Sequence, residues 1–149
     1  MNPVVSKRYE VPGNDFTQAG EASSRVKVLL KQIGFDSACI RRLAIAMYEG
    51  EINMVIHADG GFAQVDIYPD KVKVVLQDTG PGISDIELAM REGYSTAPAE
   101  VRSLGFGAGM GLSNMKKYSD EMSVNSTVGV GTQVIITILA DSEKNGINK

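Results

Sequence analysis

The stretch Ala63-Gln64-Val65-Asp66-Ile67-Tyr68-Pro69-Asp70-Lys71-Val72-Lys73-Val74-Val75-Leu76-Gln77 decides the fold class. Ala63, Val65 and Ile67 alternate with Gln64, Asp66 and Tyr68, the period of a half-buried strand. Pro69-Asp70 is a turn signal. Val72, Val74 and Leu76 then return on one face, so the stretch predicts a hairpin. Two strands joined without a helix pair antiparallel. A doubly wound nucleotide fold would need strictly alternating strands and helices, and this sequence lacks that alternation.

Upstream, Val4 to Val11 is rich in β-formers and predicts a further strand, broken at Pro12-Gly13-Asn14. Phe16, Ala19, Ala22, Val26, Leu29, Leu30 and Ile33 recur at helical spacing and predict a helix over 16–33 ending at Gly34. A second helix is predicted over 36–57, capped by Asp36 or Ser37 and stopped by Gly60-Gly61. Downstream, Ser84 to Glu92 predicts a short helix with Ser84 and Glu87 as a capping box. An irregular stretch runs over 93–107, followed by a helix over 109–119 and strands over 122–126 and 132–139. Asp141 to Lys149 reads as a frayed polar tail. The expected class is α+β, a two-layer α/β sandwich with a mostly antiparallel mixed sheet and helices on one face. Residues 1–140 are expected to form one domain, with 141–149 as the polar tail.

Composition narrows function by exclusion. A length of 149 residues fits one domain, and 43% hydrophobic with 22% charged residues argues against disorder. The net charge of −3 gives no basic surface for nucleic acid and no membrane-binding patch. One cysteine, Cys39, rules out an intrachain disulfide and a multi-cysteine metal site, and it reads as a core residue. Met1 to Pro12 has no long apolar run, so no signal peptide is expected, and no transmembrane run occurs. The expected setting is the cytoplasm.

Four places carry chemistry. Glu49, Asn53 and His57 are four residues apart and line up as one ridge on the second helix. A carboxylate and an amide oxygen one turn apart can hold a hydrated Mg²⁺, although a solvated face is the plainer reading of that spacing. Asp78-Thr79-Gly80-Pro81-Gly82-Ile83 puts a carboxylate at the end of an apolar strand, where an adenine amine could donate to it. Gly105-Phe106-Gly107-Ala108-Gly109-Met110-Gly111-Leu112 leads glycines at alternate positions into a helix, a cradle for phosphate. It lacks the Gly-Lys-Ser/Thr ending of a P-loop. Gly129-Val130-Gly131-Thr132 joins the last strands, and the Thr132 hydroxyl is expected to bond Asp78 directly or through water.

The order and spacing of these boxes over nearly the whole chain resemble the GHKL ATPase superfamily, which includes gyrase, Hsp90, histidine kinases and MutL. The resemblance implies a Bergerat, histidine-kinase-like fold that binds ATP and Mg²⁺. It implies Glu49 as general base and Asn53 as the Mg²⁺ ligand. ATP would contact Asn53, Asp78, Gly80, Gly82, Ile83, Ser95, Thr96, Gly105, Phe106, Gly107, Ala108, Gly109, Met110, Gly111, Leu112 and Thr132. Within the superfamily, Glu92-Gly93-Tyr94-Ser95-Thr96 and the glycine loop resemble the anti-sigma and stressosome switch serine/threonine kinases. That branch implies an antagonist-type, STAS-like protein substrate or a sigma factor as partner, and admits a homodimer. The alternative is an anti-sigma binding module with little kinase activity. One departure is Gly50, which sits in a helix interior, where glycine costs about 1 kcal/mol relative to alanine.

Overall fold

The computed structural model describes residues 2–13, 16–58, 60–83, 85–90 and 111–146. Five strands form one sheet: β1 (Val5–Pro12), β2 (Gly60–Ile67), β3 (Lys71–Asp78), β4 (Glu121–Thr127) and β5 (Gly131–Leu139), in the order β1-β2-β3-β5-β4. The predicted hairpin is β2–β3, with Val65 opposite Val74 and Ile67 opposite Val72. Every described pairing is antiparallel, so the mixed sheet expected from the sequence is antiparallel throughout these residues. Among the described residues no helix is long and apolar enough to cross a membrane.

One face of the sheet makes the core. Ala63, Val65, Ile67, Val72, Val74, Ile136 and Ile138 are fully buried on it. Helices α1 (Glu21–Ile33), α2 (Ser37–His57), the single turn α3 (Ile86–Ala89) and α4 (Gly111–Tyr118) accompany the sheet. The central helix is α2, which packs between α1 and α4 and touches β1, β2, β3 and β5. Its buried residues include Cys39, Leu43, Ala46, Met47, Met54 and Val55. Burial pushes the Cys39 thiol up to about 11, so it is protonated at neutral pH, as a core residue should be.

Gly50 owes its place to this packing. A Cβ there would collide with Leu76 Cδ1 of β3 and come within 3.0 Å of Met115 Cε of α4. The glycine that weakens α2 in isolation lets it sit close to both neighbours.

Several boundaries differ from the sequence expectation. The first helix begins at Glu21 rather than Phe16, because Gly20 takes a left-handed conformation (φ 89°) after a 3₁₀ turn over Phe16–Gln18. A Cβ on Gly20 would also approach Tyr48 Cε1 at 2.8 Å. Asp36 occupies the N-cap of α2 without a side-chain capping bond. Helix α2 stops at Ala58, and Gly60-Gly61 opens β2 instead of ending the helix. The tail expected to fray is held through Glu143–Gly146 in a 3₁₀ turn, where the Asn145 amide oxygen accepts from Arg42 Nη2 at 2.8 Å. Ser84 of the expected capping box lies outside the described residues.

The start of α1 is secured by Glu51 of α2. Glu51 lies on the opposite side of α2 from Glu49 and is 1% exposed. Its carboxylate accepts from the backbone N–H groups of Gly20 (3.1 Å), Ala22 (3.2 Å) and Ser23 (2.7 Å). These are the orphan donors of a helix start, which Gly20 has no side chain to cap. Burial raises the Glu51 carboxyl above its ordinary value, against the downward pull of the Ser23, Ala22 and Gly20 N–H groups. Glu51→Ala should lose about 2 kcal/mol of stability, because three donors are left unpaired in a buried place. Urea unfolding measures this directly, and a loss near zero would show that water replaces the carboxylate there.

Candidate nucleotide site

Glu49, Asn53 and His57 are half-buried along α2, and Glu49 and Asn53 face α4. A Cβ on Gly111, the first residue of α4, would lie 2.9 Å from both the nitrogen and the oxygen of the Asn53 amide. Glycine is thus what lets the start of α4 meet this side chain. One turn later on α4 and one turn earlier on α2, Asn114 Nδ2 donates to Glu49 Oε1 at 3.4 Å. The register of α4 against α2 therefore places two ridge residues beside the N-terminal half of α4, where the helix dipole favours an anion. Leu112 is buried under that turn. Burial lowers the His57 imidazole below its ordinary value, with Asp78 partly opposing, so the ring is neutral at pH 7.

The second half of the site is the end of β3. Asp78 Oδ1 accepts from Gly80 N–H at 2.9 Å and from Thr132 N–H at 3.1 Å. Gly80 fits where a Cβ would crowd Ala58 of α2 at 2.6 Å. Gly82 (φ 80°) lies against the Thr127 carbonyl, and Gly129 N–H donates to the Pro81 carbonyl at 2.9 Å. The turn 78–83 is thereby locked to the β4–β5 hairpin. Ile83 N–H closes it by donating to Ser126 Oγ at 2.7 Å.

Thr132 reaches Asp78 differently from the sequence expectation. Its backbone N–H makes the bond, while its hydroxyl sits 2.9 Å from Ser126 Oγ. The side chain points along the β4–β5 pair because Ser126 stands opposite Thr132 in register.

Glu49, Asn53, Gly111 and Leu112 are thus brought together, as are Asp78, Gly80, Gly82, Ile83 and Thr132. Ser95, Thr96, Gly105, Phe106, Gly107, Ala108, Gly109 and Met110 lie outside the described residues. Sequence reading missed Asn114 and Ser126. Asn114 was findable, since it stands one turn after Gly111 and faces the ridge once α4 packs on α2. Ser126 carries no signal, being one more polar residue on an alternating strand.

The donor chemistry fits Mg-ATP. Among the described residues no three His, Cys, Asp or Glu side chains come together to hold a metal. The Asn53 amide oxygen suits Mg²⁺, which keeps several waters and takes its other ligands from phosphates, and the adjoining helix N-terminus suits those phosphates. The glycine against Asn53 keeps that place clear of side chain, and the Asp78 carboxylate offers an acceptor for an amine.

Residues 36–142 match the family described as histidine kinase-, DNA gyrase B- and HSP90-like ATPases. The chain is 32% identical over 108 residues to the serine/threonine-protein kinase RsbT of Bacillus subtilis, covering 70% of this chain and 75% of that one. It is 30% identical over 124 residues to the anti-sigma F factor of Clostridium novyi, covering 78% and 83%. Among solved structures, that of the RsbU and RsbW domains of Rv1364c from Mycobacterium tuberculosis superposes with a TM-score of 0.61 at 16% identity. That match takes in 92% of this chain and 33% of the other, and it supports the fold. With the match spanning α2, β3 and the turn that follows Asp78, the chain belongs to the family of histidine kinase-, DNA gyrase B- and HSP90-like ATPases.

Proposed function

We propose that the protein is a regulatory serine/threonine kinase of the anti-sigma and switch-kinase type. Its substrate would be a serine or threonine on an antagonist-type, STAS-like partner. The observation that carries this reading is the α2 ridge. Glu49 and Asn53 are separated by one helical turn, about 6 Å of rise, and both meet α4. Bound Mg-ATP supplies the γ-phosphoryl group. Asn53 is the residue that would hold the metal, through its amide oxygen. Asp78 would take the adenine amine, with Gly80, Gly82 and Ile83 shaping the turn and Gly111 and Leu112 presenting the start of α4.

Glu49 would accept the proton of the attacking hydroxyl or orient it, with Asn114 holding one carboxylate oxygen. Phosphoryl transfer demands mainly positioning and charge neutralisation, which this arrangement offers. Likeness to the RsbT kinase supports the reading. The proposal includes a cytoplasmic setting. It also includes a homodimer paired through the sheet face opposite the helices, where Phe62, Val75 and Ile135 are half-buried.

Likeness to anti-sigma F factors supports a second reading, in which nucleotide orders a surface that holds a sigma factor. The test is mass spectrometry of an antagonist-type protein after incubation with the protein and Mg-ATP. New phosphoserine or phosphothreonine supports the kinase. Stable capture of a sigma factor with no phosphate transfer supports the binding module.

A further inference from the structure

The Ser126 hydroxyl is a junction between three segments. It accepts from Ile83 N–H at 2.7 Å, lies 3.1 Å from the Gly131 carbonyl oxygen, and lies 2.9 Å from Thr132 Oγ1. Ile83 ends the turn that begins at Asp78, and Thr132 supplies one of the two N–H groups on Asp78 Oδ1. The remaining described link between turn and hairpin is a backbone bond, Gly129 to Pro81. Apart from Asp78 itself, Ser126 is therefore the described side chain that ties the two together by hydrogen bonding.

The arithmetic of a hydroxyl makes this tie specific. Serine has one hydrogen to give and two lone pairs to receive. Ile83 uses one lone pair. The hydrogen goes either to the Gly131 carbonyl or to Thr132 Oγ1. In the first case Thr132 spends its own hydrogen on Ser126; in the second it keeps that hydrogen. Both states hold Thr132 in one place, and with it the N–H that loads Asp78 Oδ1. Among the described residues the Gly80 and Thr132 N–H groups both bond Oδ1; on the reading of Asp78 as acceptor, Oδ2 is the oxygen that would receive a ligand amine.

We infer that Ser126 is a positioning residue for base recognition: acting through Ile83, Thr132 and Asp78, it sets how far the site prefers a purine with an exocyclic amine over one without. This rests on the reading of Asp78 as the acceptor for that amine. Ser126 itself does not touch the nucleotide.

The experiment is calorimetric binding of ATP and of purine riboside triphosphate, which lacks only the amine, to the full chain with Mg²⁺. Wild type, Ser126→Ala and Ser126→Thr are compared. Wild type should prefer ATP. Ser126→Ala should weaken ATP by about three- to tenfold, the worth of one hydrogen bond, and leave purine riboside triphosphate nearly unchanged. Ser126→Thr should restore the preference by restoring the hydroxyl. Equal weakening of both nucleotides, or an undiminished preference in Ser126→Ala, would overturn the inference while leaving the Asp78 reading intact. Equal binding of both nucleotides by wild type would overturn the Asp78 reading and this inference with it. Ser126→Cys, similar in size with a weaker donor, carries the same comparison if alanine compromises folding.

Discussion

Glu49→Gln should reduce phosphoryl transfer to the partner by about 10²- to 10⁴-fold, the range spanned by a lost general base. ATP affinity should stay close to that of wild type. The two outcomes separate because of where Glu49 sits. It is half-buried on the α4 side of α2, and its described bond is to Asn114. Glutamine keeps the shape and still offers Asn114 an oxygen, but it cannot take up a proton at neutral pH. Nothing in the apolar packing of α2 depends on the charge. Glu51, two residues on, is the internal contrast. Its carboxylate is spent on the start of α1, so its loss shows in stability. Equal transfer rates for wild type and Glu49→Gln, by quench-flow or timed mass spectrometry, would remove Glu49 from the chemistry.

Arg42→Met should cost about 3–5 kcal/mol of stability, the range for breaking one side of a buried ion pair. Arg42 is 2% exposed. Its guanidinium donates to the Tyr118 carbonyl (2.9 Å), Asp120 Oδ2 (3.1 Å), the Leu139 carbonyl (3.0 Å) and Asn145 Oδ1 (2.8 Å). One side chain on α2 thereby holds the end of α4, the approach to β4, the end of β5 and the last described turn. Methionine fills much of the stem volume but leaves four acceptors and the Asp120 charge without that partner.

The loss should depend on pH. Burial alone would raise the Asp120 carboxyl. The Ser142 hydroxyl, the Leu139 N–H and Arg42 outweigh it and hold the group below its ordinary 3.8. A depressed carboxyl contributes stability above its unfolded value, and that contribution disappears as pH falls through the folded one. The gap between wild type and Arg42→Met in urea unfolding should therefore narrow below pH 3.8. A loss of less than about 1 kcal/mol at neutral pH, the size of an exposed pair, would contradict this role.

The sequence made the sheet legible where alternation was clean. The 63–77 hairpin, the α2 ridge and Asp78 at a strand end were all readable from spacing. What escaped depended on contacts between distant segments. The start of α1 could not be placed from local periodicity, because Glu51 from another helix caps it. Gly50 looked like a defect until Leu76 and Met115 filled the space beside it. The tail looked loose because Arg42, more than a hundred residues earlier, is what holds it. Within the site, Thr132 does stand beside Asp78, but its direct bond is from the backbone N–H, since nothing local to 129–132 reveals that Ser126 stands against the hydroxyl.

The central claim is that one pocket joins the α2 ridge to the end of β3 and binds Mg-ATP. Isothermal calorimetry of ATP with wild type, Asn53→Ala and Asp78→Asn, with and without Mg²⁺, tests it most directly. The account predicts saturable binding by wild type. Asp78→Asn should be weaker by about tenfold or more, the worth of a hydrogen bond to a charged group, whether or not Mg²⁺ is present. Asn53→Ala should lose chiefly the Mg²⁺-dependent part of the affinity. Binding that both substitutions leave unchanged would contradict the pocket described here.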